Sequence, residues 1–142
     1  MSLTVTIITP ERSLAPIQAD HVTLPAFDGE VGVRTGHQPF VCQLGVGHLK
    51  IKSSTQADTV MALKGGVAQV LKDQVKILAE SVIEASAISE QELLKKLNEL
   101  ASKTYDDPLE FAQAKATGHW LATQLKVAGK QVPAEAMSKL GI

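Results

Sequence analysis

Residues 75–101 read VKILAESVIEASAISEQELLKKLNELA, and the spacing of the apolar residues changes within this stretch. In its first part apolar and polar residues alternate, as at Val75 and Ile77, which is the pattern of a half-buried β-strand. In its second part Leu93 and Leu97 recur four residues apart, which is typical of an amphipathic helix. The stretch therefore predicts that a β domain ends here and a helical domain begins.

The sequence before this stretch has the texture of strands throughout. Short apolar runs are separated by turn-forming residues, among them Gly45, Gly65-Gly66 and Lys72-Asp73. Many short strands at near-regular spacing favour a β-sandwich or flattened barrel. We therefore expect a mainly β domain over residues 1–86, followed by a helical domain over residues 87–142.

Two helix starts are marked in the second domain. Ser89 and Glu92 fit the capping box S-x-x-E, and Asp107-Pro108 supplies an N-cap followed by proline at the first helical position. Together they predict an antiparallel two-helix hairpin. Gly129 and Pro133 are expected to end the second helix and to leave a short tail.

The second helix carries an apolar stripe with small residues in it, which predicts close contact with another helix. Its lysines are expected either to lie in solvent or to dock on an acidic surface. The candidate contact residues are Phe111, Lys115, Leu121, Leu125, Lys126 and Lys130.

Composition excludes several classes of function. The 142 residues include 14 basic and 15 acidic ones, a net charge of −1, so no overall field attracts nucleic acid or anionic lipid. The single cysteine, Cys42, cannot form an intramolecular disulfide. The chain has neither a secretory leader pattern nor an apolar run of membrane-spanning length, so we expect it to be neither exported nor inserted by itself.

No catalytic or metal site is expected. His21, Asp28, His37 and His48 show no helical i, i+4 pairing and no recognised ligand spacing. The glycines lack the phosphate-binding G-x-x-x-x-G-K-[ST] pattern. A small metal-dependent enzyme built on the histidines is an alternative that this spacing argues against.

One segment has a more specific pattern. Residues 24–40 read LPAFDGEVGVRTGHQPF, and residues 62–67 and 75–80 continue the match as ALKGGV and VKILAE. This series resembles the signature of the epsilon subunit of F-type ATP synthase. The tail is similar too, with FAQA at residues 111–114 near the start of the second helix.

The resemblance implies a ten-stranded β-sandwich that acts as a non-catalytic rotor element. In that family one end of the sandwich rests on the ring of membrane c subunits and the side is held by the gamma subunit. The implied location is peripheral, on the cytoplasmic side of the bacterial inner membrane. The residues carried over as ring contacts are Asp28, Gly29, Glu30, Gly36 and His37. Alternatively, the glycines serve only the geometry of the turns.

In that family the helical tail folds against the sandwich or extends along gamma into the alpha/beta catalytic hexamer, where it blocks ATP hydrolysis. Some bacterial relatives bind ATP through a motif close to [IL]-D-x-x-R-A at the start of the first helix. Here residues 88–93 read ISEQEL, so serine replaces the aspartate and glutamate replaces the arginine. We therefore predict no ATP binding of that kind.

A second function class fits the same residues without the resemblance. A free-standing β-sandwich adaptor would use its helical hairpin to bind another helix. Such an adaptor need not travel with a gamma subunit, so co-purification discriminates between the two.

Overall fold

The computed structural model describes residues 2–142 and divides into two compact units, one ending at Glu84 and the other comprising Ala85–Ile142. The first unit consists of β-strands and the second of helices. Among residues 2–142, no helix combines the length and the apolar character that crossing a membrane requires.

The described residues of the first unit, 2–84, form one sheet of seven strands. They are β1 (Leu3–Ile8), β2 (Ile17–Ala19), β3 (His21–Ala26), β4 (Gly29–Arg34), β5 (Phe40–Lys52), β6 (Thr59–Leu71) and β7 (Gln74–Glu84). Their order across the sheet is β2-β1-β7-β6-β5-β3-β4. Neighbours are antiparallel except β1 and β7, which are parallel.

The ten strands implied by the resemblance are not found among residues 2–142, and glycines expected in turns lie inside long strands instead. Gly45 lies within β5, and Gly65 and Gly66 lie within β6, where they have φ values of +65° and +118°. The pair is therefore not a hairpin turn. Glycine tolerates these left-handed values, so β6 changes direction there without ending.

The bend is shared by the three long strands. Ladder pairing is regular on both sides of one level, which contains Gly45, Gly65 and Glu80. Before that level the inward-facing side chains of β6 are odd-numbered, as at Met61 and Leu63. Beyond it they are even-numbered, as at Ala68 and Val70. Each long strand thus contributes two segments to the core, which explains why the sequence suggests more strands than form.

All seven strands of the first unit contribute buried side chains to its core. Its buried side chains are Leu3, Val5, Ile7, Ala19, Val22, Leu24, Val33, Leu44, Leu49, Ile51, Met61, Leu63, Ala68, Val70, Val75, Ile77, Ala79 and Val82.

The turn predicted at Lys72-Asp73 is confirmed and joins β6 to β7. Both residues have positive φ values, 49° and 60°, as a tight turn between twisted antiparallel strands requires. The Asp73 carbonyl oxygen of this turn also accepts a hydrogen bond from the backbone N–H of Thr4 at 2.9 Å. This bond attaches the start of β1 to the turn.

The second unit has three helices rather than a two-helix hairpin. A 3-10 turn, Ala85–Ala87, precedes α1 (Glu90–Ser102), α2 (Pro108–Val127) and α3 (Ala134–Leu140). Gly129 and Pro133 separate α2 from α3, so the chain beyond them is not the short tail expected. Seven residues are too few to reveal a helical period in the sequence, which is why α3 was not expected.

The predicted helix starts are found where expected, although only one cap is formed in full. Asp107 precedes Pro108, and its Oδ1 accepts the N–H of Leu109 at 2.9 Å. Ser89 is the N-cap of α1, but its side chain makes no capping hydrogen bond. The buried side chains of this unit are Leu93, Leu97, Ala114, Leu121, Leu125, Ala136 and Leu140.

Gly66 should be the least replaceable residue of the bend. A Cβ there would lie 1.9 Å from the Leu78 carbonyl oxygen. We expect Gly66→Ala to lower the free energy of unfolding by more than about 3 kcal/mol, because a backbone clash adds to the strained φ. Denaturant unfolding followed by the β-sheet circular dichroism signal measures this.

Gly32→Ala is the matched control. Its Cβ would approach only the His21 side chain, at 3.1 Å from Nε2. The expected cost is within about 1 kcal/mol, because a side chain can move aside. Equal destabilisation by both substitutions would contradict the close approach at Gly66.

Candidate functional site

The turn between β3 and β4 projects an aromatic side chain. Phe27 is 75% exposed, and Asp28, Gly29 and Glu30 beside it are exposed as well. Gly29 has a φ of +140°, which allows the tight reversal. Glu30 Oε1 lies 3.9 Å from Lys50 Nζ, a solvent-exposed ion pair of little energetic weight. The turn is therefore a protruding, partly apolar tip.

The loop 35–39 is held in place by the β6–β7 turn. The Gly36 N–H donates to Asp73 Oδ1 at 2.7 Å, and Gly36 has a φ of +81°. His37 is half-buried, with Nδ1 2.7 Å from the Gln38 carbonyl oxygen and its ring edge-on to Phe40 at 5.8 Å. The loop is thus fixed by side-chain and backbone contacts.

The two groups of predicted ring-contact residues are not brought together. Asp28, Gly29 and Glu30 lie at the start of β4, whereas Gly36 and His37 follow its end. A strand of that length spans roughly 17 Å. β4 is also the last strand of the sheet order, so its outer edge runs between the two groups.

A face of the sheet that the sequence argument missed carries most of the exposed apolar side chains. The pairs Ile8 with Leu78 and Leu78 with Val67 place three of them in one row across β1, β7 and β6. Val67 pairs with Gln43 on β5, whose carbonyl accepts the Phe27 N–H at 2.8 Å. The row therefore extends from Ile8 to the turn before β4.

We call this surface the outer face and define it by Ile8, Leu78, Val67, Gln43 and Phe27 with their same-side neighbours. The neighbours on the same side are Thr4, Thr6, Val41, Gln69, Leu71, Gln74 and Lys76. Lys76 is the charged side chain in this set, and the exposed Glu80, two residues beyond Leu78 on β7, adds a second charge at its border. A broad, apolar and nearly uncharged face on a stable sheet is typical of a surface that binds another protein.

A sequence signal for this face does exist. Apolar residues occur in pairs at Ile7-Ile8 and Ile77-Leu78, where strict alternation would place a polar residue at the second position. Such pairs indicate that both faces of a strand meet apolar surroundings.

The predicted contact residues of α2 fall into two groups. Leu121 and Leu125 are buried in the core of the helical unit and are not accessible in this arrangement. Phe111 is half-buried, with its ring 6.0 Å from that of Tyr105.

All three lysines among the predicted contact residues are exposed. Lys115, Lys126 and Lys130 lie on the surface, and Lys130 Nζ is 3.7 Å from Glu90 Oε2 at the start of α1. The surface of this unit therefore presents the lysines, while the leucines hold its helices together.

Comparison with known proteins identifies the family. A family model described as "ATP synthase, Delta/Epsilon chain, beta-sandwich domain" matches residues 2–85. The chain is 36% identical over 126 residues to the ATP synthase epsilon chain of Syntrophobacter fumaroxidans, covering 87% of this chain and 93% of that one. It belongs to the ATP synthase epsilon chains. The epsilon chain of Rhodopirellula baltica is 36% identical over 115 residues, 81% of this chain and 88% of its own length.

Solved structures share the fold of this epsilon chain. A chain of the Euglena gracilis mitochondrial ATP synthase, from its OSCP/F1/c-ring assembly, superimposes with a TM-score of 0.78 at 23% identity, over 89% of this chain and 81% of that chain. A chain of the Tetrahymena thermophila central stalk and c-ring gives 0.66 at 16% identity, over 90% and 97%. Epsilon chains are non-catalytic subunits of the ATP synthase complex.

Asp20 and Cys42 of this epsilon chain have pKa values that their surroundings shift. The hydrogen bonds from Ser54 lower the pKa of Asp20, which ties the loop after β5 to the start of β3. Burial raises the pKa of the Cys42 thiol above its ordinary value, which makes the thiol less reactive. Within residues 2–142, no three His, Cys, Asp or Glu side chains are grouped as metal ligands.

The Gly36–Asp73 hydrogen bond can be tested by a matched pair of substitutions. Asp73→Ala removes the acceptor and places alanine at a φ of +60°, whereas Asp73→Asn keeps an oxygen acceptor and tolerates that φ. We expect alanine to lower the free energy of unfolding by about 1 to 2 kcal/mol more than asparagine. Denaturant unfolding of both variants measures the difference, and equal values would contradict a role for the side-chain oxygen.

Proposed function

We propose that this epsilon chain is a rotor subunit of a proton-translocating F-type ATP synthase and that it couples the gamma subunit to the c-ring. The observation that carries the proposal is the outer face on a sheet of this family's fold. In this proposal the chain is peripheral, on the cytoplasmic side of a bacterial inner membrane, and reaches the membrane only through the complex.

The outer face is the surface we assign to gamma. Leu78 is 54% exposed and Val67 42% exposed, and they lie side by side at the centre of the row. Covering such side chains contributes about 25 cal/mol per Å² of apolar surface removed from water, from which the entropic costs of association are subtracted. With only Lys76 and, at its border, Glu80 as charges, the face requires little desolvation of charged groups, which favours a lasting contact over a transient one.

The edge of β4 is the surface we assign to the c-ring. Contact through Asp28, Gly29 and Glu30 at one end and through Gly36 and His37 at the other requires the strand edge between them to lie along the ring. Glu30 and His37 are then the side chains expected to meet the polar loops of the c subunits. Phe27, exposed on the same turn, adds an apolar contact that the sequence argument did not include.

The helical unit is the inhibitory element in this proposal. Lys115, Lys126 and Lys130 are exposed and suit the acidic surface of the alpha/beta hexamer. Leu121 and Leu125 contribute only after the helices separate, because both are buried among α1, α2 and α3. Inhibition therefore involves a change in helix packing.

ATP hydrolysis by a reconstituted alpha, beta and gamma complex tests both roles. The assay compares no addition, the full chain, and a chain truncated after Ser86. We expect both forms to associate and only the full chain to suppress hydrolysis. If neither form associates, the rotor proposal fails and the adaptor takes its place; if both associate without suppression, the inhibitory tail fails alone.

The assignment of gamma to the outer face predicts the effect of a charge at its centre. Leu78→Glu should weaken binding to gamma by about 30-fold or more, because the carboxylate would have to lose its water on binding. Titration calorimetry with gamma measures the affinity.

Leu109→Glu, on α2, is the matched control, since Leu109 is 65% exposed and lies outside the outer face. Its affinity should remain within about twofold of the unmodified chain, as for surface substitutions that touch no partner. A loss for Leu109→Glu equal to that for Leu78→Glu would refute the assignment.

The altered motif at residues 88–93 predicts that ATP does not stabilise this chain. A ligand present at 100 times its Kd adds about 2.7 kcal/mol to the stability of the folded state. Thermal unfolding with and without millimolar ATP should give the same Tm. An increase of several degrees would show that nucleotide binds in spite of Glu92.

A further inference from the structure

The chain reverses direction after α2 through a glycine motif. Gly129 has a φ of +75°, its N–H donates to the Lys126 carbonyl at 3.0 Å, and the Lys130 N–H donates to the Leu125 carbonyl at 2.9 Å. This pair of bonds is a Schellman motif, which ends a helix and satisfies its last carbonyl groups. The segment after it is therefore free to return along the helices.

α3 ends with the same motif. Gly141 has a φ of +70°, and its N–H lies 3.3 Å from the Ser138 carbonyl oxygen. The Ile142 N–H donates to the Met137 carbonyl at 3.0 Å. The motif directs Ile142 back over the helix instead of away from it.

Both Leu140 and Ile142 are aimed at a notch in α2. The notch is Gly118, where a Cβ would lie 2.9 Å from Leu140 Cδ1, 3.5 Å from Ile142 Cδ1 and 3.7 Å from Leu97 Cδ1. Leu140 is 1% exposed and Leu97 is fully buried. Side chains from α3 and α1 thus meet over the one α2 position that has no side chain.

The notch explains a glycine in the middle of a helix. Glycine in the middle of a helix lowers helix stability relative to alanine. The buried side chains packed over Gly118 offset that cost, since a buried leucine stabilises a core more than an alanine does. Close packing of α3 therefore depends on Gly118.

We propose that α3, together with Ile142, is an intramolecular latch. Leu140 seated over Gly118 holds α1 and α2 together and keeps Leu121 and Leu125 covered. A partner that binds the stripe of α2 must first displace Leu140. Only this last consequence rests on the proposed inhibitory function; the latch itself is a property of the isolated chain.

Release of the latch is expected to be cooperative. α3 comprises seven residues, Ala134–Leu140, and a helix that short is not stable by itself in water. Its buried anchors are Ala136 and Leu140. Once they leave the helical core, α3 unfolds, and the contact over Gly118 is lost as a whole.

Amide hydrogen exchange on the isolated full chain tests the latch. In Leu140→Ala, the slow amides of α1 and α2 should exchange at least about tenfold faster, because the contact that joins the helices is weakened. Ser138→Ala, an exposed position on the same helix, should change them by less than about twofold. The amides of β6 should remain unchanged in both variants and report that the sheet is folded.

The pattern of exchange decides the outcome. Acceleration confined to residues 134–142 would overturn the proposal, because α3 would then be an appendage that holds nothing. If Leu140→Ala unfolds the helical unit entirely, the milder Ile142→Ala decides, since Ile142 is only half-buried. It should accelerate the same α1 and α2 amides by a smaller factor, and an unchanged rate there would overturn the latch.

The hydrolysis assay separates this inference from the proposed function. If the full chain does not inhibit hydrolysis, the inhibitory role fails while the exchange result stands. If it does inhibit, Leu140→Ala should reach half-inhibition at a severalfold lower concentration, because α2 is exposed more often. A higher concentration would overturn the consequence that the latch keeps α2 from its partner.

Discussion

The sheet depends on the contact at Gly66, where the Leu78 carbonyl of the neighbouring strand occupies the space of a side chain. Because the backbones approach so closely, β6 and β7 bend at the same level, and β5 bends with them at Gly45. Three long strands can then pass from one segment of the core to the next without a break in the ladder. Continuous strands need no exposed turns at that level, so the hydrogen bonds of the sheet are kept where the chain changes direction.

The same continuity creates the outer face. Along one bent sheet, the inward positions form a single core, and the outward positions of β1, β7, β6 and β5 are brought into line as rows. A hydrogen-bonded sheet deforms less than separate elements joined by loops. The position of the apolar row on that sheet therefore matters as much as its composition, because a partner bound there is connected through backbone hydrogen bonds to the edge of β4.

The sequence predicts the order of strands and helices well, and it fails where one local pattern has two outcomes. Gly65-Gly66 favours a turn by composition, but whether the chain turns or bends depends on the strand that pairs beside it. The two groups of predicted ring-contact residues lie at opposite ends of β4, and their separation follows from the length of that strand. The outer face was missed because a pattern of alternating apolar and polar residues reveals only the buried side of a strand. The adjacent apolar pairs Ile7-Ile8 and Ile77-Leu78 break that alternation and signal a second apolar side. α3 was missed because it is short, although Pro133 and Gly141 are suitable signals for its start and end.

The two units differ in how much of their packing is lost when one element separates. The first has a large core that joins all of its strands, so any local opening exposes many apolar side chains at once. The second has a small core in which three helices meet around Leu97, Leu125 and Leu140. Loss of one short helix removes a large share of that core, so two arrangements of the unit can differ by only a few kcal/mol, as a conformational switch requires. In the proposed function, a rigid sheet joined to a helical unit near such a balance would stay attached to the rotor while its helices respond to a partner.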